Sequence, residues 1–168
     1  MNKRTYYAPL LALSLLVLAL DRISKLWVER HIAQGEAITI IPRVFRITHV
    51  LNFGAAFSLF ADSNPQHVRL FLTIFSVVAI LIVLFFFIRM GRTLTLSSVA
   101  LALILAGAIG NLYDRIRFGF VTDFLEVHIV HYHWPDFNLA DSAIVVGACL
   151  MLLELFRQPH EQHPASSA

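Results

Sequence analysis

A helical membrane fold with four spans is what this 168-residue sequence predicts, and three observations carry that reading. Hydrophobic residues make up 58% of the chain, with a mean hydropathy of +0.71, above the ~45–50% apolar usage of soluble domains. Leu70 to Ile88 and Leu94 to Tyr113 carry no charge over 19 and 20 residues, each enough to cross ~30 Å of hydrocarbon as helix. Two further apolar runs, Tyr7 to Val28 and Phe137 to Phe156, have span length but are interrupted by Asp21, Arg22 and Lys25, and by Asp141 and Glu154. The expectation is therefore an all-α membrane protein. It has four transmembrane helices, at about 7–28, 68–88, 94–113 and 137–156, with a small extracytoplasmic β-containing segment and a short interfacial helix. All belong to one membrane-embedded domain, 1–168.

Each element has its own justification. The first run follows Lys3 and Arg4 as a signal peptide would, but it lacks a small-x-small cleavage site before Asp21, so it is read as a retained helix. Ala37 to Val50 is rich in Ile, Thr, Val and Phe, which suits an outer sheet. Asn52-Phe53-Gly54 marks a turn. Ala55 to Ala61 reads as the interfacial helix, with Phe57, Leu59 and Phe60 dipping into the membrane. Asn64-Pro65 supplies an N-cap and an N1 proline for the second span. The tight turn 89–93 makes the second and third spans antiparallel neighbours. Ala106 and Gly110, then Ala143 and Gly147, recur four apart, a spacing that lets helix backbones approach in lipid. Tyr132, Trp134 and Phe137 suit headgroup level before the fourth span.

Lys3, Arg4, Arg89, Arg92 and Arg157 are denser on the tail side than Arg residues are in the longer opposite segments. Both termini are therefore expected in the cytoplasm. The single cysteine, Cys149, lies within a span and allows no internal disulfide. A net charge of +2, spread over loops, excludes no membrane role and implies no nucleic acid.

Charge then singles out a site. Antiparallel spans put Asp21, Asn111, Asp114, Asp123, Asn138 and Asp141 on one face, and ionisable groups at membrane depth cost ~2.5–3.5 kcal/mol each, so a cluster of them reads as functional. Asp21 has Arg22 or Lys25 as a partner, the latter one turn away and able to snorkel. Asn111 and Asp114 share a helix face near Arg115, and Asp114 at a helix C-terminus needs an arginine or a loop amide to hold it. Asp123 and Asp141 have no basic residue within four positions. With Asn138 as the N-cap, the Asp141 side chain is free to enter the bundle. The two form either a dyad sharing one proton, able to activate water, or unrelated acidic caps. His128, His131 and His133 with Glu126 look like metal ligands, but the HExxH spacing is absent and interfacial histidines explain them more simply, so no metal is expected. Ser24 and Lys25 point about 100° apart and make a poor nucleophile and base. The rival class is a small proton- or ion-coupled transporter using intramembrane carboxylates.

Five motifs resemble, in order and spacing, those of the lipoprotein signal peptidases, the bacterial signal peptidase II family. They are Asp21-Arg22-Ile23-Ser24-Lys25, Asn52-Phe53-Gly54-Ala55-Ala56-Phe57, Gly107 through Arg115, Val121-Thr122-Asp123-Phe124 and Phe137 through Ser142. Ala106 and Thr122 depart slightly, where Gly and Val are frequent. The resemblance implies a membrane aspartyl endopeptidase that removes signal peptides from diacylglyceryl-prolipoproteins, cutting N-terminal to the lipidated cysteine. It implies Asp123 and Asp141 as the catalytic pair, and Asp21, Lys25, Asn52, Gly54, Asn111, Asp114, Arg115, Asn138 and Ala140 as supporting or substrate-binding positions. It further implies no cofactor or metal, inhibition by globomycin-type peptides, and a monomer in the inner membrane with its site facing outward.

Overall fold

The computed structural model describes residues 6–54, 64–130 and 132–157. Segment 55–61, expected as the interfacial helix, lies outside the described residues, as do His131, Lys3, Arg4 and the tail from Gln158. In chain order the elements are α1 (Tyr7–His31), β1 (Ala37–Ile41), β2 (Phe45–Asn52), α2 (Pro65–Met90), α3 (Leu96–Arg117), β3 (Val121–Ile129), β4 (Tyr132–His133) and α4 (Leu139–Arg157). The fold is mostly helical with a small antiparallel sheet.

Helix starts follow side-chain chemistry. Asn64 Oδ1 accepts from Gln66 N at 2.9 Å with Pro65 beginning α2, as the sequence predicts. Thr95 and Ser98 close a capping box on α3. α3 runs to Arg117, four residues past the expected end of the span. Asn111, Asp114 and Arg115 are thereby on regular helix and not on a fraying end, which fixes their common face.

By length and composition, α2 from Gln66, α3 and α4 are able to cross a membrane. α1 has 25 residues and carries Asp21, Arg22, Lys25, Glu29 and Arg30 in its second half. The surface is inverted relative to a soluble protein: on α2, Leu70, Phe71, Phe75, Leu81, Ile82 and Phe85 are each more than half exposed. So much contiguous apolar area suits lipid, not water.

α3 is the central helix, packed against α1, α2 and α4. Its close approach to α4 rests on Gly107 and Gly147. A Cβ on Gly107 would sit 2.2 Å from Ala140 O, and one on Gly147 2.7 Å from Ala100 O. Expected small-residue positions Ala106 and Ala143 are buried too, but these two glycines make the backbone contact. Toward the chain termini, Leu10, Phe87, Leu101, Ala102 and Leu105 form an apolar cluster.

The strands order as β1-β2-β3-β4, all antiparallel. β2 shifts register between Ile47 and Val50, which sets Val50 opposite Asp123 and Asn52 opposite Val121. Phe124 packs with Val28 and Ile32 of α1 and with Leu139, docking β3 on the helix ends. A second tie is Thr122 Oγ1 donating to Glu29 Oε1 at 3.0 Å. The sheet thus caps the bundle and delivers Asp123 to the start of α4.

Candidate active site

Asp123 on β3 and Asp141 in the first turn of α4 are both bound by Asn138, which is fully buried. Asn138 Nδ2 donates to Asp123 Oδ1 at 2.7 Å, and its backbone N–H donates to Asp141 Oδ2 at 3.3 Å. In return Asn138 Oδ1 accepts from Asp141 N at 2.9 Å. Asn138 is the expected cap, but Asp141 is less free than expected. One of its oxygens closes a reciprocal cap on α4, and the other accepts from Asn111 Nδ2 at 2.7 Å.

Three asparagines hold the carboxyl pair, and each has its amide direction fixed by a partner. Asn52 Oδ1 accepts from Gly54 N at 2.8 Å, which turns Nδ2 onto Asp123 Oδ2 at 2.9 Å. Asn138 is turned by Asp141 N. Asn111 Oδ1 accepts from Lys25 Nζ and from Asn138 Nδ2, each at 3.3 Å, leaving its Nδ2 for Asp141. Gly54 sits at φ +116, and a Cβ there would lie 2.3 Å from Leu72 Cδ1, so this turn requires glycine.

Beneath the pair lies an ion network. Lys25 is 0% exposed, contrary to the expected snorkelling, because its three ammonium protons are all used inside. They go to Asp114 Oδ2 at 2.6 Å, Asp21 Oδ2 at 2.8 Å and Asn111 Oδ1. Asp21 Oδ1 accepts from Ala140 N at 3.0 Å, tying α1 to the first turn of α4. Asp114 Oδ1 accepts from Arg22 Nη1 at 3.2 Å, and Arg22 also pairs with Glu29 at 3.4 Å. The arginine serving Asp114 is therefore Arg22, and Arg115 instead reaches Asn111 O at 3.4 Å. Its charge acts on Asp141, then Asp123, then Asp114. All eleven positions singled out in the sequence meet in one hydrogen-bonded region. Arg22, expected as an alternative partner of Asp21, completes it through Asp114, and Glu29 and Thr122 were missed as site partners. The i, i+7 spacing of Arg22 and Glu29 on one helix face was the available signal.

Neither Asp123 nor Asp141 forms an ion pair among the described residues. Burial, and then the charge of Asp141, push the Asp123 carboxyl up to about 7, against hydrogen bonds from Asn52 and Asn138. Two carboxyls sharing one amide residue, one of them neutral near pH 7, can deliver an acid and a base to the same bond. His128 and His133 with Glu126 form a separate cluster on β3 and β4, with no hydrogen bond to the pair among the described residues.

A lipid-embedded bundle with such a pair has the chemistry of a membrane acid–base hydrolase. The sequence profile of the Signal peptidase (SPase) II family matches residues 13–157, and the chain belongs to that family. A lipoprotein signal peptidase of Pseudomonas putida is 45% identical over 153 residues, covering 90% of this chain and 89% of the relative. One from Syntrophus aciditrophicus is 41% identical over 147 residues, covering 88% and 91%. A solved structure described as a bacterial membrane enzyme superposes with a TM-score of 0.81 at 29% identity, covering 94% of this chain and 99% of that one. Nothing in these relationships supports the transporter alternative.

Proposed function

We propose that Asp123 and Asp141 are the catalytic pair of an aspartic endopeptidase that removes signal peptides from diacylglyceryl-prolipoproteins, cleaving N-terminal to the lipidated cysteine. The observation that carries this reading is Asn138, which hydrogen-bonds both carboxyls from the start of α4. With its carboxyl raised to about 7, Asp123 is protonated in about half of the molecules at neutral pH and takes the acid role. Asp141 then takes a proton from water as the water oxygen bonds to the scissile carbonyl carbon, while Asp123 protonates the carbonyl oxygen. When the tetrahedral diol collapses, Asp141 returns its proton to the departing amine nitrogen. Asp123 recovers its own from the diol hydroxyl, so the pair ends as it began.

The remaining residues position these groups. Asn52, Gly54, Asn111 and Asn138 orient the carboxyls, and Asp21, Lys25, Asp114, Arg115 and Ala140 hold the helices that carry them. An apolar groove lined by Val17, Leu20, Leu103, Leu139, Ser142, Ala143 and Val146 runs along the first turns of α4, the helix that carries Asp141. A signal helix lying there, still in lipid, would bring its cleavage site to the pair. In this reading α1 is a fourth span, the termini are cytoplasmic and the sheet faces outward. Trp27, Tyr113, Tyr132 and Trp134 are exposed, which suits aromatic side chains at an outer headgroup level in this reading. The chain acts as a monomer and is blocked by globomycin-type cyclic peptides.

The deciding assay follows cleavage of lipidated prolipoprotein by purified protein. Asp123→Asn and Asp141→Asn are each expected to lower the rate roughly 10²–10⁴-fold. Wild-type turnover by either variant rejects the assignment.

A further inference from the structure

We propose that Glu126, His128 and His133 form a binding site for a divalent cation of the zinc type on the β3–β4 hairpin, distinct from the carboxyl pair. The ligand atoms of the three residues all lie within 4.8 Å of one another. A tetrahedral ion with bonds of about 2.1 Å holds its ligands roughly 3.4 Å apart, so the set closes by side-chain adjustment alone. His128 and His133 are cross-strand partners, with ring centroids 4.2 Å apart, and His128 Nε2 is already 2.8 Å from Glu126 Oε1. Two imidazoles and one carboxylate suit zinc, and also copper or nickel.

The surroundings are those of a ligand set held from behind. Arg46 contacts both Glu126 oxygens, Nε to Oε2 at 2.6 Å and Nη2 to Oε1 at 2.8 Å. Metal entry replaces the His128 to Oε1 hydrogen bond and leaves Arg46 Nε on Oε2, orienting the ligating carboxylate as an outer partner does. Glu126 is buried while His133 is exposed, which gives the ion an anionic floor and an open path.

The hairpin also has use for a staple. β4 is two residues long, too short to hold itself against β3, and the turn carries Val130, a β-branched residue at φ 58. An ion shared by His128 and His133 joins the strands beside that strained turn. No hydrogen bond or ion pair among the described residues joins Glu126, His128 or His133 to Asp123 or Asp141, so the ion stabilises the sheet without entering the hydrolytic chemistry.

The test is zinc titration of the full-length protein in detergent, without an affinity tag, against a chromophoric chelator. Wild type is expected to take up about one equivalent and gain thermal stability with it. His128→Ala, His133→Ala and Glu126→Gln should each weaken uptake at least tenfold, since losing even an outer partner of a metal ligand costs roughly 10–100-fold. Prolipoprotein cleavage, retained in all three, verifies that they fold. Wild type without stoichiometric uptake overturns the proposal. So does undiminished uptake in His128→Ala with His133→Ala combined, which would place the zinc elsewhere on the chain. Loss of uptake in His131→Ala alone would likewise reject the three-residue set.

Discussion

Two groups of aspartates lie side by side in this protein and are treated in opposite ways. Asp21 and Asp114 share a buried lysine at 2.8 and 2.6 Å, and Asp114 has Arg22 as well. Asp123 and Asp141 accept hydrogen bonds only from amides among the described residues, with Arg115 acting on them through its charge and not through an ion pair. Cations pair directly with the first group and bind three helices together. Neutral donors orient the second group with no cation in direct contact, which suits the proton exchange proposed for it. What separates a strut from a reactive group here is the kind of donor, not the depth of burial.

The comparison can be broken most forcefully by exchanging the two outcomes. Asp123→Asn should abolish most cleavage yet keep the fold, because the isosteric amide loses only one of the two hydrogen bonds from Asn52 and Asn138 and no ion pair. Lys25→Met should do the reverse, leaving Asp21 and Asp114 buried without their shared cation at a cost of about 3–5 kcal/mol. A large fall in the thermal midpoint measured in detergent is the expected result. Adding Asp21→Asn and Asp114→Asn to Lys25→Met should restore part of it. Retention of the full midpoint by Lys25→Met alone would show that the lysine is no strut.

A smaller effect is expected at the turn that aims Asn52. Gly54→Ala places a methyl group against Leu72 at a positive φ, a strain of order 1–3 kcal/mol. Turnover should fall more than substrate affinity, since Asn52 contacts Asp123. The split between kcat and KM checks it.

Acidity sharpens the contrast further. Asp123 is neutral below about 7, so cleavage should decline as pH rises through that value and the pair becomes doubly ionised. Stability has the same sign. A carboxyl raised from 3.8 in the unfolded chain favours the native state most below 3.8, and that advantage is lost as pH climbs to about 7. The midpoint of Asp123→Asn relative to wild type should therefore rise between pH 4 and 7 and level off above, by a few degrees. A pH-independent difference between the two proteins would contradict the raised carboxyl.

Asp123 and Asp141 stood out only in part from local sequence: neither has a lysine or arginine within four positions, but Glu36, Asp62, Glu126 and Asp136 share that property, and the motifs around the two aspartates made the choice. The Asn64-Pro65 helix start was legible, since capping is local. The lysine network was not. Lys25 reads as a snorkelling side chain on its own helix, and only the approach of Asp114, 89 residues away, makes burial affordable. Arg115 reads as the counter-ion of Asp114 by adjacency, but adjacent residues on a helix diverge, and Arg22 arrives from another helix. Strand-forming composition around residues 37–50 announced a sheet without its register. The shift between Ile47 and Val50 that brings Asn52 beside Asp123 depends on pairing with β3, which no local pattern encodes.

The fixed direction of the three asparagine amides has a consequence for speed. Each dipole is aimed by an atom on its far side, Gly54 N, Asp141 N or Lys25 Nζ, before any peptide arrives. Reorganisation that a solvent cage would undergo at every turnover is completed here once, during folding. Compounds that mimic the tetrahedral diol should find a rigid mould, and their affinity should follow shape and hydroxyl placement more than adaptation by the enzyme.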